Sequence, residues 1–243
     1  MNRHLLLLDS STDHCTAALV SEVAGVVAER EETDRAKQAE RLAVMANEVL
    51  QELPDGQTLS GICVAEGPGS YTGLRIAAGY AKGLAWSRSL PLLTLPTTLL
   101  MTRSCMAQHA VTPDTLLMPM IDARRMEVYS ALYDSNGEAE TEISALILTD
   151  DEVQSSLRAL AADRPLLYFG SGAEKAREMM TTLLPLSRYI PDIYPKAKDM
   201  AADAFARLDA GKAVDVAYWE PFYLKEYQAK KSLNKVLRQA LEK

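Results

Sequence analysis

The sequence predicts an α/β protein built from two similar lobes. Apolar runs bounded by turn residues alternate with stretches of helical period, and one ordered set of these elements occurs twice along the 243 residues. Each set ends in the same step: a short buried strand, a Gly-x-Gly turn and a helix. Mixed antiparallel and parallel strands with interleaved helices are the expected outcome.

In the first set an apolar run, residues 5–8, stops at Asp9, and a polar turn over residues 10–14 leads to a second run at 15–20. A third run follows at 23–28, where Gly25 turns the chain, so three adjacent strands are expected. Leu42, Met45, Ala46, Val49, Leu50 and Leu53 recur at helical spacing within residues 35–53, and Pro54-Asp55-Gly56 ends that helix. A strand at 61–65, a glycine-rich turn, a helix at 71–87 and a strand at 90–95 follow. A helix that Thr97 or Thr98 can cap then runs to about Gln108.

The order restarts with an apolar run at 116–121, ending at Asp122 and a turn over 123–125. Strands at 126–133 and 140–148 flank an Asn136-Gly137 turn, and Thr149 or Asp150 opens a helix through 160. A strand at 166–169, Gly170-Ser171-Gly172 and a helix at 173–184 close the second set. Asp9 precedes Ala18-Leu19 by nine positions, and Asp122 precedes Ala131-Leu132 by the same nine. The restart divides the chain into an amino-terminal lobe, 1–108, and a carboxy-terminal lobe, 109–243.

The composition, 48% hydrophobic and 24% charged, is that of a globular chain, and no stretch approaches the ~20 apolar residues that cross a bilayer. The run at 5–8 is too short for a secretory core and is cut by Asp9, so a cytoplasmic protein with no membrane contact is expected. Cys15, Cys63 and Cys105 form no C-x-x-C pair and sit in apolar stretches, as small hydrophobes do. The net charge of −7 repels a nucleic-acid backbone except at residues 225–243, where six Lys or Arg stand against two Glu. That basic tail reads as a solvated helical face, with contact to RNA or an acidic partner as the alternative.

The duplicated order resembles the ribonuclease-H-like fold of the actin, sugar-kinase and Hsp70 superfamily. Its members hold nucleotide phosphates between two lobes, on their strand-turn-strand loops. The resemblance maps those loops to 9–12 and 122–125 and makes Asp9, Ser11, Thr12 and Asp122 a candidate weak nucleotide cleft. Paired carboxylates could hold magnesium or act as a base, and each could equally cap its own turn. The second loop, Ala123-Arg124-Arg125, has no glycine to let a phosphate approach its backbone, so an inert cleft without cofactor is expected. His4, His14 and His109 form no i, i+4 pair, and no Gly-x-Ser-x-Gly elbow is present, so neither metal catalysis nor a protease is supported.

Gly67-Pro68-Gly69-Ser70-Tyr71-Thr72-Gly73 invites a phosphate-loop reading, but it matches neither G-x-G-x-x-G nor a G-K-[ST] ending. A rigid turn launching a closely packed helix fits better. Gly73, Ala77, Ala81 and Ala85 make a stripe of small residues at i, i+4, i+8 and i+12, with Gly79 and Gly83 as a second small pair. Packing on the chain's own sheet explains such a stripe, and so does a bundle with helices of another subunit.

The segment from Gly67 to Arg75 resembles the TsaB family, as do Ile121-Asp122-Ala123-Arg124-Arg125-Met126-Glu127-Val128-Tyr129 and Pro221-Phe222-Tyr223-Leu224-Lys225. The departures are Met126 where the family has glycine, Ala78 where it prefers glycine, and Gln38 where many members have histidine. The resemblance covers nearly the whole chain. It implies a non-catalytic subunit that binds and activates TsaD in placing threonylcarbamoyl on the adenosine beside the tRNA anticodon, with the ATPase TsaE joining the complex. It also implies that the first two helices carry the contact, for which Arg41, Leu42, Met45, Val49, Leu74, Ala78, Tyr80 and Ala81 are the candidates. TsaD-like relatives have an H-x-x-x-H metal pair on the first helix; residues 35–42 contain no histidine. Self-pairing of the free chain and tRNA contact through the basic tail stay open. The competing reading is an ATP-dependent phosphotransferase or hydrolase of the same superfamily, using Asp9 and Asp122.

Overall fold

A computed structural model describes residues 2–34 and 36–224. The basic tail at 225–243 therefore lies outside the described residues. In the first half, β1 (His4–Asp9), β2 (Cys15–Ser21), β3 (Gly25–Glu32), α1 (Gln38–Leu50), β4 (Gly61–Gly67), α2 (Tyr71–Arg88), β5 (Leu92–Pro96) and α3 (Thr97–Gln108) follow in order. The second half holds β6 (Leu116–Asp122), β7 (Glu127–Ser130), β8 (Ser144–Ile147), α4 (Asp151–Ala161), β9 (Leu166–Phe169), α5 (Arg177–Leu183), β10 (Ser187–Ile190) and α6 (Ala201–Asp209).

The duplication is a duplication of topology. The first sheet has the order β3-β2-β1-β4-β5 and the second β10-β9-β6-β7-β8, which read from the matching edge is the same arrangement. In each, the first three strands are antiparallel neighbours and the last two run parallel to the first. These are two ribonuclease-H-like lobes. The nine-position match, however, is offset by one residue. Ala18 lies opposite Leu7, two before Asp9, while Ser130 rather than Ala131 lies opposite Met120, two before Asp122.

Alternation along the strands sorts the core into layers. Leu6, Leu8, Ala17, Leu19, Ile62 and Val64 face α1 and α2. Their neighbours Leu5, Leu7, Ala18, Val20, Cys63 and Leu93 face α3 and α6. On the second sheet, Leu116, Met118, Met120, Leu166 and Tyr168 face α4 and α5, while Leu117, Leu167 and Phe169 face α3. Helix α3 therefore sits between the sheets, with Leu100 on the first and Met101 and Cys105 on the second. Arg103 ties the same junction together: it donates to Asp203 of α6 at 2.8 and 2.9 Å and to the Asn136 carbonyl of the second lobe at 2.6 Å.

The packing departs from a division at residue 108. Helix α6 and the single turn before it lie on the first sheet, Val214 pairs with Leu92 at its edge, and Trp219 joins the layer of α1 and α2. The sequence reading leaves β10 and α6 without elements, because four residues of mixed polarity and a nine-residue helix give too short a period to recognise. The capping role expected of Thr97 or Thr98 is also corrected. Pro96 occupies the cap position, the Thr97 hydroxyl is buried without a partner among the described residues, and Thr98 Oγ1 lies 2.7 Å from the Tyr133 hydroxyl. No helix of the described residues is long and apolar enough to cross a membrane.

Candidate functional site

The β1–β2 turn packs against the Gly67–Gly73 turn. Asp9 is fully buried; its Oδ1 accepts from the Ser11 hydroxyl at 2.6 Å and the Ser11 amide at 3.2 Å, and its Oδ2 has no partner among the described residues. Burial, opposed by the Ser11 hydrogen bonds, pushes this carboxyl up to about 7. Ser10 donates to the Gly73 carbonyl at 3.0 Å, and the Ser70 amide donates to the Ser11 carbonyl at 2.7 Å. A Cβ on Gly69 would collide with the Ser11 carbonyl, and one on Gly73 with the Ser10 carbonyl. The glycines thus serve a close approach of the chain to itself. Ser70 accepts from the Gly73 amide at 3.3 Å and so caps the start of α2.

The Gly67 turn and the start of α2 receive the carboxy-terminal motif. The Phe222 amide donates to the Glu66 carbonyl at 2.7 Å, and a Cβ on Gly67, whose φ is +114°, would stand 2.6 Å from the Phe222 carbonyl. Arg75 lies 4.1 Å above the Tyr71 ring and donates to the Tyr223 hydroxyl at 3.3 Å. Two motifs 150 residues apart in the chain are one piece of structure, and spacing alone gives no sign of it.

The β6–β7 turn is built differently. Asp122 is exposed, accepts from the Arg124 amide at 3.2 Å and is ion-paired with Lys175, whose ammonium also donates to the Glu127 carbonyl at 2.6 Å. Arg124 and Arg125 both have positive φ, 73° and 50°, in the turn that ends at Met126. Both aspartates therefore accept from the amide two residues on, the turn-capping alternative. Thr12 is buried beside Ser11, and its Oγ1 accepts from the His14 amide at 3.3 Å. His14 stacks on Tyr194, ring centroids 3.6 Å apart, which joins the first turn to the segment after β10. Among the described residues no three His, Cys, Asp or Glu side chains gather as a ligand set.

The contact candidates on the first two helices need correction. Leu42, Met45, Val49 and Ala81 are fully buried in the core of the first sheet, and Leu74 and Ala78 are 1% and 5% exposed. An apolar i, i+3, i+4 pattern marks the face a helix turns to its own sheet, and these six candidates lie on that inward face. Gly73, Ala77, Ala81 and Ala85 share this inward side. Arg41 is half-buried between Glu32 and Glu48, and the half-buried Tyr80 donates to Asn47 at 3.1 Å, tying α2 to α1. The open face carries Glu40, Val44 and Asn47 on α1, and Thr72, Arg75, Gly79, Gly83 and Trp86 on α2. Trp86 is 76% exposed, and a Cβ on Gly79 or Gly83 would meet nothing within 4 Å. The signal for this face was the second small pair, together with two apolar residues off the buried stripe.

The family model described as "TsaD: tRNA N6-adenosine threonylcarbamoyltransferase" matches residues 16–189. The tRNA threonylcarbamoyladenosine biosynthesis protein TsaB of Escherichia coli K12 is 28% identical over 232 residues, 94% of this chain and 97% of that protein. The chain belongs to the TsaD family, among its TsaB (YeaZ) members. The TsaB of Bacillus subtilis 168 is 37% identical over 138 residues, 55% of this chain and 56% of its own length. A crystal structure from Pseudomonas aeruginosa, titled an uncharacterized protein with similarity to peptidase YEAZ, superposes with a TM-score of 0.74 at 24% identity, covering 92% of this chain and 100% of that one.

Proposed function

We propose that this chain acts in tRNA threonylcarbamoyladenosine biosynthesis as an accessory subunit that binds and activates TsaD without catalysing a step itself. Its relatives in Escherichia coli and Bacillus subtilis carry that pathway in their names. The observation that carries the docking role is the outer face of α1 and α2. A glycine inside a helix costs roughly 1 kcal/mol relative to alanine, and among the described residues nothing stands within 4 Å of where a Cβ on Gly79 or Gly83 would be. Two such positions beside Val44 and Trp86 fit the close approach of a partner's helix. TsaE joins through TsaD in this reading, self-pairing of the free chain uses the same face, and tRNA is met within the complex.

The phosphotransferase or hydrolase reading keeps one observation, the unpartnered Oδ2 of the buried Asp9. Calorimetry with ATP and magnesium separates the two. Heat of binding that Asp9→Ala removes, with turnover by the chain alone, would replace the accessory role. The accessory role itself requires that purified chain pull down TsaD and that its deletion abolish threonylcarbamoyl-tRNA. Normal modified tRNA after deletion excludes it.

A further inference from the structure

The repeated topology is filled unequally in its two copies. On the first sheet α1 packs over β2 and β3 with Leu42, Met45, Ala46 and Val49 fully buried. Its counterpart α4 buries only Leu157 and Ala161. The strands beneath it explain the difference. The Leu148 amide donates to the Met126 carbonyl at 2.8 Å, which makes 128–146 and 130–144 the hydrogen-bonded pairs of β7 and β8. Ser130 and Ser144 are therefore directly opposed, and two side chains this short do not fill the space below α4. A cavity of about 430 Å³ opens there, lined by Met118, Leu132 and Leu146 from the strand side and by Leu157 and Leu160 from α4. Leu160 and Ile147, which also lines it, are 41% and 50% exposed.

The cavity adjoins an open strand edge, since β8 is the last strand of its sheet. In the same hydrogen-bonding phase the amides and carbonyls of Ala145 and Ile147 point away from β7. The Ile147 carbonyl accepts from the Asp150 amide at 3.0 Å, whereas the Ala145 amide and carbonyl and the Ile147 amide have no partner among the described residues. The charge around this edge is of one sign. Residues 126–157 hold eight Asp or Glu and no Lys or Arg. Asp150 caps α4 and Glu140 is paired with Arg164, but the exposed side chains of Glu142, Asp151 and Glu152 have no ion pair or hydrogen bond among the described residues. Glu142 lies two residues before β8, and Asp151 and Glu152 open α4 just after it, so free carboxylates flank the strand at both ends.

We propose that the β8 edge and the cavity beside it bind an extended basic segment of a partner protein. The segment adds a strand beside β8, places an apolar side chain in the cavity, and carries Lys or Arg at both ends against Glu142 and the Asp151–Glu152 pair. Alternate residues of a strand share a face, so the recognised pattern is basic, any, apolar, any, basic. A second copy of this chain would bring the same carboxylates to the edge and is disfavoured by their repulsion. The site lies on the second sheet and stands whether or not TsaD docks on α1 and α2.

The test titrates the isotope-labelled full chain with acetyl-Lys-Val-Leu-Val-Lys-amide and follows the backbone amides by NMR. Saturable shifts of the Ala145 and Ile147 amides are expected, larger than those of Ser144 and Leu146, whose amides already bond to β7. The double variant Glu142→Lys/Glu152→Lys should weaken binding roughly tenfold. Ser156→Trp, at an exposed position of α4 that lines the cavity, should weaken it by filling the space. Both variants replace exposed side chains, and an unchanged thermal midpoint checks that the fold is kept. No saturable shift with millimolar peptide overturns the proposal, as does equal binding of acetyl-Glu-Val-Leu-Val-Glu-amide. Octylamine binding as tightly as the peptide gives the cavity to a small amine and overturns it. Shifts of β8 that grow with protein concentration alone give the edge to a second copy and overturn it too.

Discussion

Asp9 shows what a single residue can and cannot announce. Its position at the end of the first strand was legible, since an apolar run stops there. Its environment was not, because burial depends on Gly69 and Gly73 closing over the turn from sixty residues away. The consequence is a pH dependence of known sign. The folded-state carboxyl, at about 7, binds its proton more tightly than the unfolded one at 3.8, so the folded state holds more protons between these values. Stability therefore falls as pH rises from about 4 to about 7 and levels above, by an amount on the order of 4 kcal/mol for a shift of this size. Urea unfolding of Asp9→Asn across that range should lack this slope; a parallel decline in variant and wild type would place its origin elsewhere.

At the scale of the element, α2 presents two faces that look alike in sequence and differ in kind. Both are lines of small residues at four-residue spacing, and the period alone cannot say which one the sheet covers. The strands decide it, since Ala77, Ala81 and Ala85 fall over Leu6, Leu8 and Ile62 in one core. Ala81→Trp should thus damage the fold rather than a docking surface, costing at least the 1–3 kcal/mol typical of overpacking and lowering the thermal midpoint. A variant with unchanged midpoint would contradict the buried placement. Gly79→Ala and Gly83→Ala act oppositely. Each should stabilise the free chain by about 0.5–1 kcal/mol, since both positions are open to solvent and helical. The shorter elements, β10 and α6, were illegible for a plainer reason: neither spans enough residues to show a period.

At the scale of the molecule, both five-stranded sheets could be read from the repeated order, but not how the lobes are joined. Helix α3 offers one side to each sheet, which a single helical stretch cannot reveal, and α6 returns from the second half to cover the first sheet. Arg103 fastens α3, α6 and the Asn136 turn at once. Arg103→Ala should cost about 2 kcal/mol by leaving Asp203 unpaired, and should raise hydrogen exchange in α6 before α1 or α2. Uniform exchange changes would argue against a local clamp. With the lobes fastened in this way, the open α1–α2 face is presented on a firm support, as a docking surface requires. In the proposed function TsaD binds there. The affinity of Gly79→Trp/Gly83→Trp for TsaD, measured by calorimetry beside the thermal midpoint of the free variant, tests it most directly. The expected result is a loss of at least tenfold in affinity with the midpoint held; full affinity with two tryptophans on that face would exclude it as the docking surface.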